Sequence, residues 1–181
     1  MPTLRRAPLL AACWRSTAVA LALGAALLGC GSGSEQTEDP VSGASQSVVL
    51  GTGEAEFESM EGEPQIRLVH GAQGGFHVWA SFLAYGFESE ALDLTLTTSV
   101  EGAAENLVMH ARLTTREVLD AEGNPARSFA GFPAQVRDAR CADGRRVELR
   151  LHLSEPAGGA ADDVRHCVAE VAEEFRTIEC P

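Results

Sequence analysis

The chain has 181 residues, 22% of them charged, and its 26 acidic and 14 basic residues give a net charge of −12. All the acids follow residue 30 whereas three arginines precede it, so residues 30–181 carry 11 basic against 26 acidic residues and a net charge of −15. Such an acidic chain disfavours binding to nucleic acid or to anionic lipid head groups, both of which need Lys/Arg patches.

Residues 1–29 have the pattern of a signal peptide. Arg5, Arg6 and Arg15 precede a 13-residue apolar run, Ser16–Leu28, and no acid accompanies them. A basic start, an apolar run and a small residue are typical of a secretory signal. The run is shorter than the roughly 20 apolar residues that span a bilayer. We therefore predict that residues 1–29 are removed after export.

The apolar run ends in Leu27-Leu28-Gly29-Cys30, which resembles the lipobox of bacterial lipoproteins. The resemblance implies diacylglycerol transfer to the Cys30 thiol, cleavage before Cys30 and acylation of the new amino group. Two or three acyl chains hold a protein stably at a membrane. Gly31 stands where an inner-membrane retention signal has Asp, which implies the outer membrane in a Gram-negative cell. The alternative is an ordinary secretory signal with a chance cysteine at its end.

Residues 30–46 are predicted to be the lipidated cysteine and a flexible linker. Gly31–Gln46 is rich in Gly, Ser and acids and has no aromatic residue, so it lacks the apolar surface needed to fold. A flexible coil of this length reaches roughly 20–24 Å on average. The remaining residues, 47–181, suit one folded domain.

The strongest strand signal is Phe76–Phe87, where side chains alternate with period 2. The face predicted to be core is apolar throughout and comprises Phe76, Val78, Ala80, Phe82 and Ala84. The second face comprises His77, Trp79, Ser81, Leu83 and Tyr85. Trp79 and Tyr85 are thus either covered by a loop or part of a surface patch.

Similar alternation predicts further short strands at Ala91–Val100, Asn106–Leu113, Arg145–Ser154 and Asp163–Ala172. Shorter candidates lie before them, at Ser47–Leu50, Ala55–Phe57 and Gln65–His70. Ala126–Val136 is ambiguous because Gly131 and Pro133 interrupt it, and the proline indicates an edge or a bulge. Glu170–Arg176 is compatible with a short helix instead of a strand. Seven or eight short strands with few helix signals predict an all-β fold, and we expect an immunoglobulin-like or fibronectin-like two-sheet sandwich.

The segment Gly71–Trp79 resembles stretches of small uncharacterised lipoproteins of GC-rich bacteria. This resemblance covers about ten residues and implies no known activity.

Three of the five cysteines remain in the exported domain, because Cys13 lies in the signal peptide and Cys30 is the anchor. An oxidising compartment favours one disulfide among Cys141, Cys167 and Cys180. A hairpin with Ser154 opposite Val164 would place Leu151 opposite Cys167 and Cys141 opposite Thr177, close to Cys180. We therefore expect a Cys141–Cys180 disulfide, with Cys141–Cys167 as the alternative.

The same hairpin register places His152 opposite His166 on the outer face. Two imidazoles on neighbouring strands can bind Zn²⁺ or Cu²⁺, with Asp162, Asp163 or Glu170 as a further ligand. The alternative is a pair of solvated histidines. Because no ligand motif is present, we predict neither a metal nor a cofactor.

No sequence pattern indicates catalysis. The chain lacks Gly-x-Ser-x-Gly, a catalytic cysteine signature, a Walker loop, a Rossmann fingerprint and a calcium loop. We predict no catalytic residues and interpret the chain as a lipid-anchored, non-enzymatic module that binds or supports other envelope proteins. The alternatives are a metal- or small-ligand-binding periplasmic module using outward-facing histidines, and an enzyme with an unfamiliar site.

Overall fold

The computed structural model describes residues 45–176. This part of the chain forms eleven strands and two 3₁₀ turns and contains no α-helix. In chain order the strands are β1 (Ser47–Thr52), β2 (Glu58–Ser59), β3 (Gln65–Arg67), β4 (Val69–His70), β5 (Phe76–Tyr85), β6 (Ala91–Val100), β7 (Leu107–Thr114), β8 (Arg116–Leu119), β9 (Pro125–Gln135), β10 (Arg146–Ser154) and β11 (Ala160–Glu170). The all-β prediction is confirmed.

The strands form two sheets, as predicted. Sheet A has the order β2-β1-β5-β9-β8, with β4 beside the start of β5, and it is strongly curled. Sheet B has the order β3-β11-β10-β6-β7. All pairs are antiparallel except β3 with β11. Leu68 joins β3 in sheet B to β4 in sheet A, and its N–H donates to the Glu170 carbonyl at 2.8 Å.

The core lies between the sheets and follows the predicted alternation. The predicted core face of β5 is buried, from Phe76 to Ala84. On β10 every second residue is fully buried, namely Val147, Leu149, Leu151 and Leu153. Removing one such side chain from water contributes about 1.5–3 kcal/mol, so these strands supply much of the driving force for folding.

The second face of β5 is also largely covered. The loop of residues 53–57, called here the bridging loop, leaves β1 and reaches β9, where the Gly131 N–H donates to the Gly53 carbonyl at 3.1 Å. Because β1 and β9 flank β5, the loop passes over the outer face of β5. Ser81 beneath it is fully buried, and its hydroxyl donates to the Thr52 carbonyl.

Strand β9 contains a bulge under the bridging loop. Ala130 and Gly131 stand opposite the single residue Ser81, because the register shifts between Ala80–Phe132 and Phe82–Phe129. Pro133 follows the bulge in the part of β9 that lies beyond β8. The predicted edge or bulge at this proline is confirmed.

The predicted register of the last hairpin is wrong by four residues. Ser154 pairs with Ala160 instead of Val164, and Leu151 therefore faces Asp163 instead of Cys167. The physical reason is a tight five-residue loop, 155–159, in which Gly158 and Gly159 take positive φ angles of 93° and 113°. These two glycines let the chain turn earlier than the loop composition suggested.

After β11, which stops at Glu170, the described residues contain a 3₁₀ turn, Glu173–Phe175, where the sequence predicted a strand to Ala172 or a short helix over Glu170–Arg176. Within residues 45–176, no helix has the length and apolarity needed to cross a membrane.

Candidate functional site

A groove of about 480 Å³ lies where β4 turns into β5 and meets the end of β9. We call it the Trp79 groove. Its apolar surface comes from Val69, Phe76, Trp79 and Pro133, and its polar side chains are His70, Gln73, His77 and Gln135. The corner between the strands closes one side, because the Gly71 N–H donates to the Gly75 carbonyl at 2.7 Å.

His77 is the buried polar side chain of this groove. It is 8% exposed, and its Nε2 atom has no hydrogen-bond partner in the described part of the chain. An unpaired buried polar atom costs about 1–3 kcal/mol. Burial lowers the pKa of His77, and the Glu54 carboxylate offsets part of this effect. At neutral pH the ring is therefore neutral, with one nitrogen that donates and one that accepts.

The indole of Trp79 packs against His77. Their ring centroids are 4.3 Å apart and the rings meet at 72°, edge to face. Such a contact contributes about 0.5–1.5 kcal/mol beyond the area that it buries. It holds the indole in a defined orientation, with part of its surface still accessible within the groove.

A second aromatic cluster holds one rim of the groove. His70 stacks on Phe175 with centroids 4.6 Å apart, and Phe76 meets Phe175 edge-on at 5.3 Å. His70 and Phe76 are themselves paired across β4 and β5. The 3₁₀ turn near the end of the described chain is thereby packed against the strand corner, which stabilises the rim.

The Trp79 groove lies far from the point at which the chain enters the domain. Ser47, at the start of β1, pairs with Tyr85 at the end of β5. His77 lies eight residues earlier on β5, or about 26 Å away at roughly 3.3 Å per residue. The entry point and the groove are therefore at opposite ends of sheet A.

Tyr85 belongs to a different part of the surface from Trp79. Its hydroxyl donates to Asp120 at 3.1 Å. The pKa of Tyr85 is raised mainly by burial, and the interaction with the Asp120 carboxylate raises it further. Asp120 also accepts the Asn124 N–H at 2.7 Å, and hydrogen bonds from Asn124 lower the pKa of Asp120. Tyr85 thus supports the 120–124 turn, and the two aromatic residues do not form one patch.

The structure does not bring His152 and His166 together. His152 pairs with Asp162, with Nδ1 and Oδ1 2.9 Å apart, and His166 pairs with Glu148, with Nε2 and Oε2 3.3 Å apart. The two histidines are separated by four positions along the hairpin, about 13 Å. The predicted cross-strand histidine pair is wrong, since it relied on the incorrect register. Among residues 45–176, no group of three or more His, Cys, Asp or Glu residues could hold a metal ion.

Of the cysteines, Cys30 and Cys180 lie outside the described residues. Cys167 is a free thiol, fully buried in the core, and burial raises its pKa to about 11. The alternative disulfide Cys141–Cys167 is therefore wrong. Cys141, in the 3₁₀ turn Ala139–Cys141, is disulfide-bonded, and its pairing with Cys180 stays a prediction.

Sequence reasoning identified Trp79 as a residue of interest but missed His77, Gln73 and Gln135. The alternation along β5 did place His77 on the same face as Trp79, which was the available signal. It did not reveal that the strand corner buries the imidazole. Gln135 joins the groove through its pairing with His77 across β5 and β9, and this depends on the long-range register.

A scan against protein-family models and a search of curated proteins find no match to this chain. The Trp79 groove is therefore interpreted from its own chemistry.

Proposed function

We propose that this chain is a lipid-anchored, non-enzymatic binding module of the bacterial cell envelope, and that the Trp79 groove is its binding site. The observation that carries this proposal is a groove in which the partly accessible indole of Trp79 lies beside the exposed amides of Gln73 and Gln135. Buried polar atoms are normally paired, and the unpaired Nε2 belongs to His77, which also lines this groove.

The position of the groove supports this function. In the proposed arrangement, Cys30 carries the lipid and residues 31–46 connect it to the domain. The chain enters beside Tyr85, at the end of sheet A farthest from His77. A groove at that distance from the entry point remains accessible when the other end is tethered to a membrane.

The lipid anchor has its own test. Cys30→Ala removes the thiol that the lipobox resemblance assigns to acylation, so the exported protein should lose its lipid adduct and its partition into membranes. Intact mass of the protein from the membrane fraction measures this. A variant that keeps the same adduct would refute the assignment of Cys30.

We further propose that the domain is immunoglobulin-like, and the strand order supports this. Sheet A contains β1, β5, β9 and β8 in the order of strands A, B, E and D. Sheet B contains β11, β10, β6 and β7 in the order G, F, C and C′, and β3 runs parallel to β11. A fold of this kind supports many functions, so the function is argued from the groove.

We also propose that Cys141 pairs with Cys180. Two observations support this pairing: Cys141 is disulfide-bonded, and Cys167 is a free thiol. The remaining exported cysteine is Cys180, apart from the lipid anchor. Peptide mapping without reduction should find the two joined, and a linear Cys180 peptide would contradict the pairing.

Metal binding by His152 and His166 loses its geometric basis, because each histidine faces a carboxylate instead of the other. The alternative of a module that binds a small ligand is kept, but we place its binding site in the Trp79 groove instead of at the outward-facing histidines.

Site-specific photo-crosslinking in cells tests the proposed function. A photoreactive phenylalanine analogue replaces Val69, which is exposed and lines the groove, and the matched control replaces Arg150, which is exposed on β10 of sheet B. We expect a light-dependent adduct at position 69 and none at position 150. Equal adducts at both positions, or none at position 69, would contradict the proposal.

A further inference from the structure

The Trp79 groove is uncharged in a strongly charged protein. Eleven described residues line it, and none is Asp, Glu or Arg. At the 22% charged content of the chain, about two would be expected. The carboxylate that partly offsets the lowered pKa of His77 belongs to Glu54 of the bridging loop, which does not line the groove. A charged ligand would lose water here without gaining an ion pair, so the groove favours a neutral ligand.

The groove also disfavours a purely apolar ligand. Gln73 and Gln135 each present an amide with donors and an acceptor, and His70 adds a further imidazole at the rim. Covering these groups with hydrocarbon would leave them unpaired, as Nε2 of His77 already is. The ligand must therefore supply several hydroxyl or amide groups.

The remaining feature of the groove is a partly accessible indole beside these amides. A pyranose ring has C–H groups on its faces and hydroxyls around its edge. Its C–H face packs on an aromatic ring, while its hydroxyls both donate and accept hydrogen bonds. This combination matches Trp79 flanked by Gln135 and Gln73.

We propose that the Trp79 groove binds a neutral saccharide, with a sugar ring stacked on Trp79 and hydroxyls bound by Gln73 and Gln135. This inference rests on the proposed function and names its ligand class. His77 also lines the groove and holds the indole of Trp79 edge to face, which orients the ring for the sugar.

The chain provides its own probe. It contains two tryptophans, and Trp14 lies in the predicted signal peptide, so the emission of the exported protein reports on Trp79. The full chain is purified from membranes in a detergent without a sugar head group and is titrated with cellotriose and chitotriose. Trigalacturonic acid and a glucosamine trimer serve as anionic and cationic comparators.

We expect a saturable change in Trp79 emission with at least one neutral trisaccharide, and weaker binding of both charged trimers. Gln135→Ala should weaken binding roughly two- to tenfold, which corresponds to one lost hydrogen bond. Gln65→Ala, which removes an exposed glutamine of β3 outside the groove, should leave binding unchanged. Thermal melts establish that each variant is folded, and Gln73→Ala is a second groove variant if Gln135→Ala is unstable.

The inference is overturned if neither neutral trisaccharide gives a saturable change in emission up to about 10 mM. This concentration is about tenfold above a dissociation constant of 1 mM, which already represents weak binding. Equal or tighter binding of a charged trimer, or an unchanged affinity in both folded groove variants, would also overturn it. The two proposals fail separately. Groove-specific crosslinking in cells without saccharide binding refutes only the saccharide, whereas the absence of groove-specific crosslinks refutes the proposed function.

Discussion

His77 links the stability of the domain to its candidate function. The His77 residue is only 8% exposed, and its imidazole packs edge-on against Trp79. Burial lowers its pKa in the folded state, so the unfolded chain binds the proton more readily. The folded state therefore loses stability as the pH falls through the unfolded histidine pKa of about 6.5.

The replacement His77→Phe tests this coupling. The phenyl ring keeps an aromatic contact with Trp79 but cannot be protonated. We expect the melting temperature of the variant to fall less than that of the wild type between pH 7.5 and about 5.5, a range above the carboxylate pKa values. The control Gln65→Phe introduces the same side chain at an exposed, non-titrating position of β3 outside the groove, and its pH profile should match the wild type. An unchanged profile in His77→Phe would contradict the burial argument.

Glu155 stabilises the opposite end of the domain. Its carboxylate is 9% exposed and accepts the Ser89 N–H at 2.9 Å, the Glu88 N–H at 3.2 Å and the Gln46 side-chain amide. One buried carboxylate thus joins the 86–90 loop, the 155–159 loop and the residue just before β1.

We expect Glu155→Ala to lower the free energy of unfolding by about 1.5–3 kcal/mol, because it leaves backbone donors without a charged acceptor. Urea unfolding measures the change. Glu117→Ala is the matched control, since Glu117 is an exposed carboxylate 3.4 Å from Arg127 and such pairs contribute about 0–1 kcal/mol. Equal losses in the two variants would refute the role assigned to Glu155.

At the scale of elements, the bulge in β9 determines how the bridging loop crosses sheet A. Gly131 has a φ of 79°, and a Cβ atom there would lie 2.4 Å from the Glu54 carbonyl oxygen. Both facts require glycine, since other residues rarely adopt this φ. The loop then covers Ser81 and separates the Trp79 groove from the Tyr85 end of β5.

Gly131→Ala should destabilise the domain more than Gly123→Ala does. Gly123 has a similar φ of 86° but nothing within 4 Å of its would-be Cβ. The control therefore carries only the left-handed penalty of about 1–2 kcal/mol, and Gly131→Ala adds the clash with backbone. Urea unfolding of both variants gives the difference. If Gly131→Ala loses no more free energy of unfolding than the control, the bridging loop can shift away from the added Cβ without a measurable cost.

The elements with long alternation were predictable from sequence, and the short ones were not. The core face of β5 and the buried residues of β10 follow from period 2 alone, because both strands are long. Strand β5 has ten residues and β10 has nine. Strand β2 has two residues, which is too short for any periodic signal. The single strand predicted at Gln65–His70 is divided between the two sheets, as β3 in sheet B and β4 in sheet A. The last hairpin was misaligned because alternation fixes the face but not the register, which depends here on the glycine turn at 158–159.

For the whole molecule, the sequence predicted the two sheets that the structure shows but not the groove. The Trp79 groove is formed by β4, the 71–75 corner, β5 and the end of β9. Its residues come from two segments about 60 positions apart, and only the β5–β9 register unites them. The dependence on register also explains why the predicted pair of His152 and His166 is wrong. The predicted register was off by four residues, so the two side chains lie apart in the structure.

The resulting molecule has two ends with different roles. At one end, Glu155 binds the chain beside its entry into β1. At the other, the Trp79 groove presents an aromatic wall backed by the buried imidazole of His77. The lipid anchor at Cys30 and the saccharide ligand are proposals built on this arrangement. In this arrangement the molecule binds its ligand at the Trp79 groove.

Two-dimensional NMR of the ¹⁵N-labelled full chain, in micelles of a detergent without a sugar head group, tests binding at this groove with the neutral trisaccharides cellotriose and chitotriose as titrants. We predict that the indole N–H signal of Trp79 and the backbone N–H signal of Gln135 shift together and saturate, while that of Arg150 on sheet B stays fixed. Shifts confined to residues outside the groove, or no shift at any titrant concentration, would contradict it.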